Sequence, residues 1–366
     1  MTAFAPVDGT PLLLSGDAAA RGRGQAASAA ADPARVRAAT LGRVETAAAD
    51  GVLDAAARAY LADQRAFHEA HDPAGMAELA GIAQGFGVEF ETLFTHLHLG
   101  TLRDLAGGAQ LAEGDGCSAW AVPSGPEGPM VVKNRDYSGL HLGIQQVALH
   151  TGPDIATGAM LCVGSLGSPG AYSSGINAAG LALADTQVAV ATHRVGWLRY
   201  FLMTRILATC ASVAAAVDFI RRVPHAGGGT LVLADAGGAV AAVELAAAGP
   251  QVTTGPVLWR TNHYVLPGLE GETLYPFGDL VVGNSAVRFE YLRERLPGRP
   301  WTTAGAAQLM RTHAGSAADA APLCQHGDGG DSETLSSSIY SCTLRTLTFS
   351  EGRPCIGRWL KYRLPT

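Results

Sequence analysis

Apolar positions Val52, Leu53, Ala56, Tyr60 and Leu61 recur at helical spacing until Asp72-Pro73 interrupts them, and the first 110 residues read as helical. A second short helix is predicted from that break. Asp72 serves as its N-cap with Pro73 at the first helical position, and Gly85 and Gly87 close it after Met76, Leu79, Ile82 and Ala83. From Gly116 the pattern changes to short strand-like runs over Cys117–Val122, Met130–Asn134, Gln146–His150, Met160–Val163 and Leu181–Ala184. Ser124-Gly125-Pro126-Glu127-Gly128 reads as a hairpin loop between the first two. Helical spacing returns over Trp197–Cys210 and Val213–Arg222. A hairpin follows, Thr230–Ala234 with Val240–Leu245, and then two helices near Ala286–Leu296 and Ala304–Arg311, the latter capped from Thr302-Thr303. The tail, Ser336–Leu364, is again strand-rich. Strands gathered between helical blocks, without strict alternation, favour antiparallel sheets covered by helices in one α+β unit.

At 48% hydrophobic and 16% charged, the 366 residues suit a large core and exclude general disorder. The net charge of −6 offers no general attraction to phosphate backbones, which argues against nucleic acid as a partner. No apolar run reaches the roughly 18 residues of a membrane helix, and Met1-Thr2-Ala3-Phe4 has no positive leader, so a cytoplasmic protein is expected. Six cysteines (Cys117, Cys162, Cys210, Cys324, Cys342 and Cys355) include no Cys-x-x-Cys pair. That spacing argues against a disulfide framework and against a structural zinc site, and no metal is expected.

Asp115-Gly116-Cys117-Ser118 is the most informative segment, because a cysteine opens the first clear strand directly after a glycine. Taken alone, Cys117 reads as a buried strand residue. Cleavage of the preceding bond would instead give it an α-amine of pKa roughly 7.7–8.0, a base suited to its own thiol. A hairpin would return Lys133-Asn134-Arg135-Asp136-Tyr137 to the start of the first strand, where Asp136 could orient that amine and Lys133 favour the thiolate. Asn177, in a glycine-flanked turn, could present a backbone N–H to an oxyanion, and Asn262, beside His263, a side-chain amide. Glu78 lies within an apolar helix and needs a partner or solvent.

In their order, these segments resemble the acyl-coenzyme A:6-aminopenicillanate acyltransferase (isopenicillin-N acyltransferase) family of N-terminal-nucleophile hydrolases. Arg21-Gly22-Arg23-Gly24 and Glu78-Leu79-Ala80-Gly81-Ile82-Ala83-Gln84-Gly85-Phe86-Gly87 are similar to its early motifs. Asp115-Gly116-Cys117-Ser118, Asn134-Arg135-Asp136-Tyr137, Asn177 with Gly180-Leu181, and Asn262-His263 follow in the family order. Leu323-Cys324-Gln325-His326, Ser337-Ser338-Ile339 and Gly352-Arg353-Pro354-Cys355 resemble its C-terminal pattern. The resemblance implies a four-layer αββα sandwich of two antiparallel sheets with a helical N-terminal segment. It implies a precursor that cuts its own Gly116–Cys117 bond into an α chain, 1–116, and a catalytic β chain, 117–366, which together form one domain.

By the same resemblance, Cys117 is the nucleophile of a small-molecule amidohydrolase or acyltransferase. Asp136 orients its amine, Asn262 is the side-chain oxyanion donor and Asn177 the backbone donor. Lys133, Arg135, Tyr137, His263 and Ser338 are the residues it offers to substrate. Lys133 stands where bile-salt-hydrolase relatives have an arginine, and Gln325 interrupts what is often Cys-Arg-His. The expected partner is a small acyl amide or thioester, in an intracellular and specialised pathway. No cofactor is implied beyond a coenzyme A thioester as an optional co-substrate, and oligomeric state is open. A catalytically silent binding protein of the same fold is the alternative. A metal or dinucleotide enzyme has only His96-Leu97-His98 and Gly22-Arg23-Gly24-Gln25-Ala26-Ala27 behind it. The two histidines point to different sides of a helix, and the glycines lack a following acidic residue in a βαβ unit.

Overall fold

The computed structural model describes residues 4–29, 31–107, 116–274, 280–313, 323–326 and 332–365. In chain order the elements are β1 (Val7–Asp8), β2 (Leu12–Ser15), α1 (Ala18–Gly24), α2 (Pro33–Ala49), α3 (Ala55–His71), α4 (Pro73–Phe86), α5 (Phe90–Leu105), β3 (Ser118–Val122) and β4 (Met130–Ser138). There follow β5 (Gln145–Thr151), β6 (Met160–Ser165), β7 (Ser174–Asn177), β8 (Ala182–Thr186), α6 (Arg199–Thr209), α7 (Val213–Arg222), β9 (Thr230–Ala234), β10 (Val240–Ala246), β11 (Gly249–Thr254) and β12 (Leu258–Arg260). The chain ends with α8 (Leu280–Arg295), α9 (Thr303–Met310), β13 (Ser332–Ser341), β14 (Thr346–Glu351) and β15 (Arg358–Arg363).

Among the described residues these strands form two sheets, in the orders β1-β15-β14-β13-β4-β3-β12 and β11-β10-β9-β8-β7-β6-β5-β2. Val131, Leu161, Ile176, Val232, Tyr340 and Phe349 fill the space between them. Helices α1–α7 cover the outer face of the second sheet through residues such as Leu79, Ile82, Phe201 and Ile206. On the first sheet, α8 and α9 bury Leu292, Ala306 and Leu309 against Trp120, Val132 and Ile339. The result is the expected αββα sandwich. Among the described residues, no helix is long and apolar enough to cross a membrane.

The sheets are mixed rather than purely antiparallel, which corrects the sequence expectation. β1 runs parallel to β15 and β2 parallel to β5, so the chain places one short edge strand in each sheet before its first helix. Within β2 Leu14 is buried and Leu13 is 67% exposed, the alternation of a strand with one covered face. A second difference is that β4 continues to Ser138, past the end at Asn134 that the sequence pattern predicts. Buried polar groups there find partners: Lys133 meets Asp185, and Asn134 Nδ2 donates to the Met310 carbonyl at 2.9 Å.

The early glycine motifs are explained by helix packing. A Cβ on Gly22 would lie 2.1 Å from the Glu78 carbonyl oxygen, and one on Gly81 would lie 2.2 Å from that of Ala19. Helices α1 and α4 therefore touch backbone to backbone. Gly81→Ala gains helix propensity of about 1 kcal/mol but must part the helices, an overpacking cost of about 1–3 kcal/mol. The expected result is a lower urea midpoint with an unchanged slope; a midpoint equal to or above that of the parent would show that the crossing has slack. Glu78, on the same helix, is fully buried and accepts from the Gly170 N–H at 3.0 Å. Burial raises its pKa to about 7, against the pull of Arg21.

Candidate active site

The pairing of β3 with β4 sets Ser118 opposite Asn134, so two residues beyond each the chain brings Gly116 and Asp136 together at the open end of the hairpin. Gly116 is there for lack of room: a Cβ on it would lie 2.4 Å from Gln325 Nε2 and 2.8 Å from Asp136 Oδ2. The Asp136 carboxylate is held on both oxygens. Thr334, its partner on β13, donates to Oδ1 at 2.6 Å, and Gln325 Nε2 donates to Oδ2 at 3.0 Å. The same Gln325 amide lies 3.4 Å from the Gly116 carbonyl oxygen, to which it donates. The Cys117 thiol is buried and donates to the Asp136 carbonyl at 3.7 Å.

Arg288 of α8 was not singled out by sequence reasoning, yet it is the cation that binds this segment. It is 1% exposed. Its Nη1 donates to the Cys117 carbonyl at 2.7 Å and to Ser118 Oγ at 2.9 Å, and its Nη2 donates to Asn262 Oδ1 at 2.9 Å. Burial pulls its pKa below the guanidinium range, while Asp136 and Cys117 pull the other way. The available signal was its place three and four residues from Ser285 and Leu292, on the buried face of the predicted helix.

Asn262 is thus oriented by its oxygen, and its Nδ2 donates to the Gln187 carbonyl at 2.9 Å, leaving a second N–H. Its neighbour His263 bonds through Nδ1 to Ser285 Oγ at 2.8 Å, and burial pushes its pKa down to about 4. The ring is neutral at pH 7 and braces the Asn262 segment.

A small cleft opens beside the thiol, lined by Lys133, Arg135 and Tyr137 from β4 with Tyr172, Asp185, Gln187, Arg199 and Tyr200. Arg135 donates to Gln145 Oε1 at 2.6 Å and lies over the Tyr137 and Tyr172 rings at 5.1 and 5.0 Å. At its floor, the Asp185 carboxylate receives the Lys133 ammonium and Arg199 Nε, the latter at 2.5 Å. Burial alone would raise the Asp185 pKa; Lys133 and Arg199 outweigh it and hold the carboxyl below its ordinary range. Asp185, Gln187 and Arg199 have no motif of their own, so sequence reasoning passed over them.

Two predicted residues lie elsewhere. The backbone N–H of Asn177 donates to the Leu181 carbonyl, and both N–H groups of its side chain donate to Leu207 and Cys210 carbonyls. Its turn packs at Gly180 against the Cys342 carbonyl, beyond the far end of β13 from Thr334. At about 3.3 Å per residue that is roughly 25 Å from Asp136. Asn177 therefore staples β7 to α6, and the expected oxyanion donor is corrected. Ser338 pairs with Lys133 but is sealed between the sheets, outside the cleft lining. His96 and His98 are both buried, and burial lowers their pKa values to about 3 and about 4, as for core histidines.

The model of the family described as acyl-coenzyme A:6-aminopenicillanic acid acyl-transferase matches residues 124–355, a span that begins after Cys117. The sequence matches no curated protein. Among solved structures, the chain is similar to a mutant of the conjugated bile acid hydrolase from Clostridium perfringens, at 12% identity and TM-score 0.39, over 68% of this chain and 97% of that one. It is also similar to an N-acylethanolamine-hydrolyzing acid amidase ortholog from Caenorhabditis elegans, at 14% identity and TM-score 0.45, over 68% and 100%. The penicillin V acylase from Agrobacterium tumefaciens matches at 15% identity and TM-score 0.35, over 64% and 82%.

Proposed function

The chain belongs to the acyl-coenzyme A:6-aminopenicillanic acid acyl-transferase family, and from that premise we propose that it is a self-processing cysteine amidohydrolase or acyltransferase. The observation that carries this reading is the Gly116–Cys117 peptide bond, lying against the hydrogen-bonded Asp136 carboxylate and Gln325 amide with the thiol beside it. The thiol sulfur attacks the Gly116 carbonyl carbon, the C–N bond breaks, and the thiol proton ends on the freed amine. Gln325 supplies a hydrogen bond to the carbonyl oxygen as charge gathers on it. Water then hydrolyses the thioester, giving the Gly116 carboxylate and restoring the thiol. The products are an α chain of residues 1–116 and a β chain of residues 117–366, which stay together through the shared sandwich.

In the processed enzyme the new α-amine takes the thiol proton, and Asp136 orients that amine. Asn262, oriented by Arg288, is the side-chain donor to the substrate oxyanion, and its free N–H is suited to the task. Lys133, Arg135 and Tyr137 face the substrate from the cleft wall. The substrate class is a small acyl amide or thioester, whose acyl group passes through a Cys117 thioester to water or to an amine.

Intact mass under denaturing conditions tests this reading. Two fragments of roughly 12 and 26 kDa are expected, scaling 37.6 kDa by length, with ends at Gly116 and Cys117. One stable full-length species that no thiol reagent labels at Cys117 would overturn it in favour of a silent binding protein.

A further inference from the structure

Four metal-binding side chains converge a few residues from this site, on segments far apart in sequence. His313 follows α9, Cys324 and His326 flank Gln325, and Cys355 lies between β14 and β15. One ligand atom from each lies within 4.8 Å of all the others. His326 Nε2 is 3.2 Å from Cys355 Sγ and 3.7 Å from Cys324 Sγ, and the His313 and His326 rings meet edge to face at 4.9 Å. A tetrahedral zinc with Zn–S near 2.3 Å and Zn–N near 2.0–2.1 Å needs ligand separations of about 3.3–3.8 Å. Of the two measured separations, 3.7 Å lies inside that range and 3.2 Å about 0.1 Å below it, and a pair at the 4.8 Å limit must close by about 1 Å. Two thiolates would neutralise the dication, and two imidazoles complete a set characteristic of zinc.

The backbone holds these ligands in place without help from an ion. The Cys324 N–H donates to the Thr312 carbonyl at 2.9 Å, beside His313, and Arg311 donates to the Cys355 carbonyl at 3.1 Å. Gln325 is fixed to Thr334 on both sides, through its N–H at 2.7 Å and its carbonyl at 3.0 Å. Cys324 is buried, whereas His313 and His326 are exposed, so a cation can enter from solvent.

We propose that His313, Cys324, His326 and Cys355 bind one Zn²⁺ in a Cys₂His₂ site, and that the ion clamps Gln325 against the Gly116–Cys117 bond. The second half of this rests on the self-processing reading; the first half does not. Spacing could not reveal the site, because its four ligands share no short motif and one of them is brought in by the sheet.

The test is zinc content of the reduced full-length protein after equilibration with zinc, together with the visible spectrum of its cobalt-substituted form. Wild-type protein and Cys117→Ala are both expected to hold stoichiometric zinc and to give a tetrahedral cobalt spectrum with thiolate charge transfer. Cys355→Ser and His326→Asn should each weaken zinc binding by at least about 100-fold. Less than roughly a tenth of an equivalent in the wild type, unchanged binding in both variants, or a Cys324–Cys355 disulfide in peptide maps would overturn the site. For the clamp, removing zinc from freshly made precursor should slow the appearance of the two fragments at least about tenfold, and returned zinc should restore it. An unchanged rate would overturn the clamp. Because Cys117→Ala reports zinc without processing, a chain that binds zinc and never cuts itself would refute self-processing while leaving the site intact.

Discussion

Cys117→Ala is expected to remain one 37.6 kDa chain and to lose acyl turnover by at least about 10³-fold. The size of the effect follows from what surrounds the thiol. Two hydroxyls of the site already have partners: Ser118 Oγ accepts from Arg288, and Thr334 Oγ1 donates to Asp136. Neither can take the place of the sulfur. The substitution removes the thiol's hydrogen bond to the Asp136 carbonyl but keeps the bond from Arg288, which is made to the Cys117 carbonyl rather than to its side chain. The alanine protein should therefore fold as the parent does, and its far-ultraviolet spectrum and urea midpoint provide the control. Cys117→Ser keeps a nucleophilic atom but one far less ionised at neutral pH, so its fragments should appear slowly rather than never. Intact mass followed over days separates the three proteins. Cleavage of the alanine chain between Gly116 and residue 117 would remove Cys117 from the mechanism altogether.

How much of this site could be read from the sequence depended on whether a residue's role was local. Alternation fixed β3 and the first half of β4, and the loop between them fixed their direction, so the closeness of Asp136 to Cys117 followed from hairpin geometry. Asp72 and Gly87 were legible for the same reason: Asp72 caps α4 through the Gly75 N–H, and Gly87 closes it at φ 63°. Asn177 misled because a turn's residues set its shape but not the end of the sandwich at which it lies. Arg288 was visible as a charge among apolar neighbours, but its partners, Cys117 and Asn262, come from two other strand ends. The edge strand β2 was obscured by its brevity, since Leu12-Leu13-Leu14 becomes a strand only when β5 pairs with it. The four clustered cysteine and histidine side chains are the extreme case, joined by nothing but tertiary structure.

Asp185→Asn carries the second large effect, on stability rather than chemistry. Lys133 and Asp185 side chains are 2% and 5% exposed, and Arg199 completes the group at 7%. A buried ion pair is a weak stabiliser when compared with apolar residues of the same shape, but breaking one leaves charge stranded in a medium that solvates it poorly. Here a neutral amide would strand two cations. The expected loss is about 3–5 kcal/mol, a large part of the 5–15 kcal/mol of a typical domain. The pH dependence has a definite sign. Because Lys133 and Arg199 hold the Asp185 carboxyl below its ordinary value of 3.8, its contribution is complete above that value and is lost as pH falls through the lower, folded one. The wild-type denaturant midpoint should therefore drop on acidification below about pH 4 by an amount that the asparagine variant lacks. Adding Lys133→Met to Asp185→Asn removes one stranded cation and should recover part of the loss at pH 7. A midpoint for Asp185→Asn equal to that of the wild type would show that water reaches the floor of the cleft and screens all three groups.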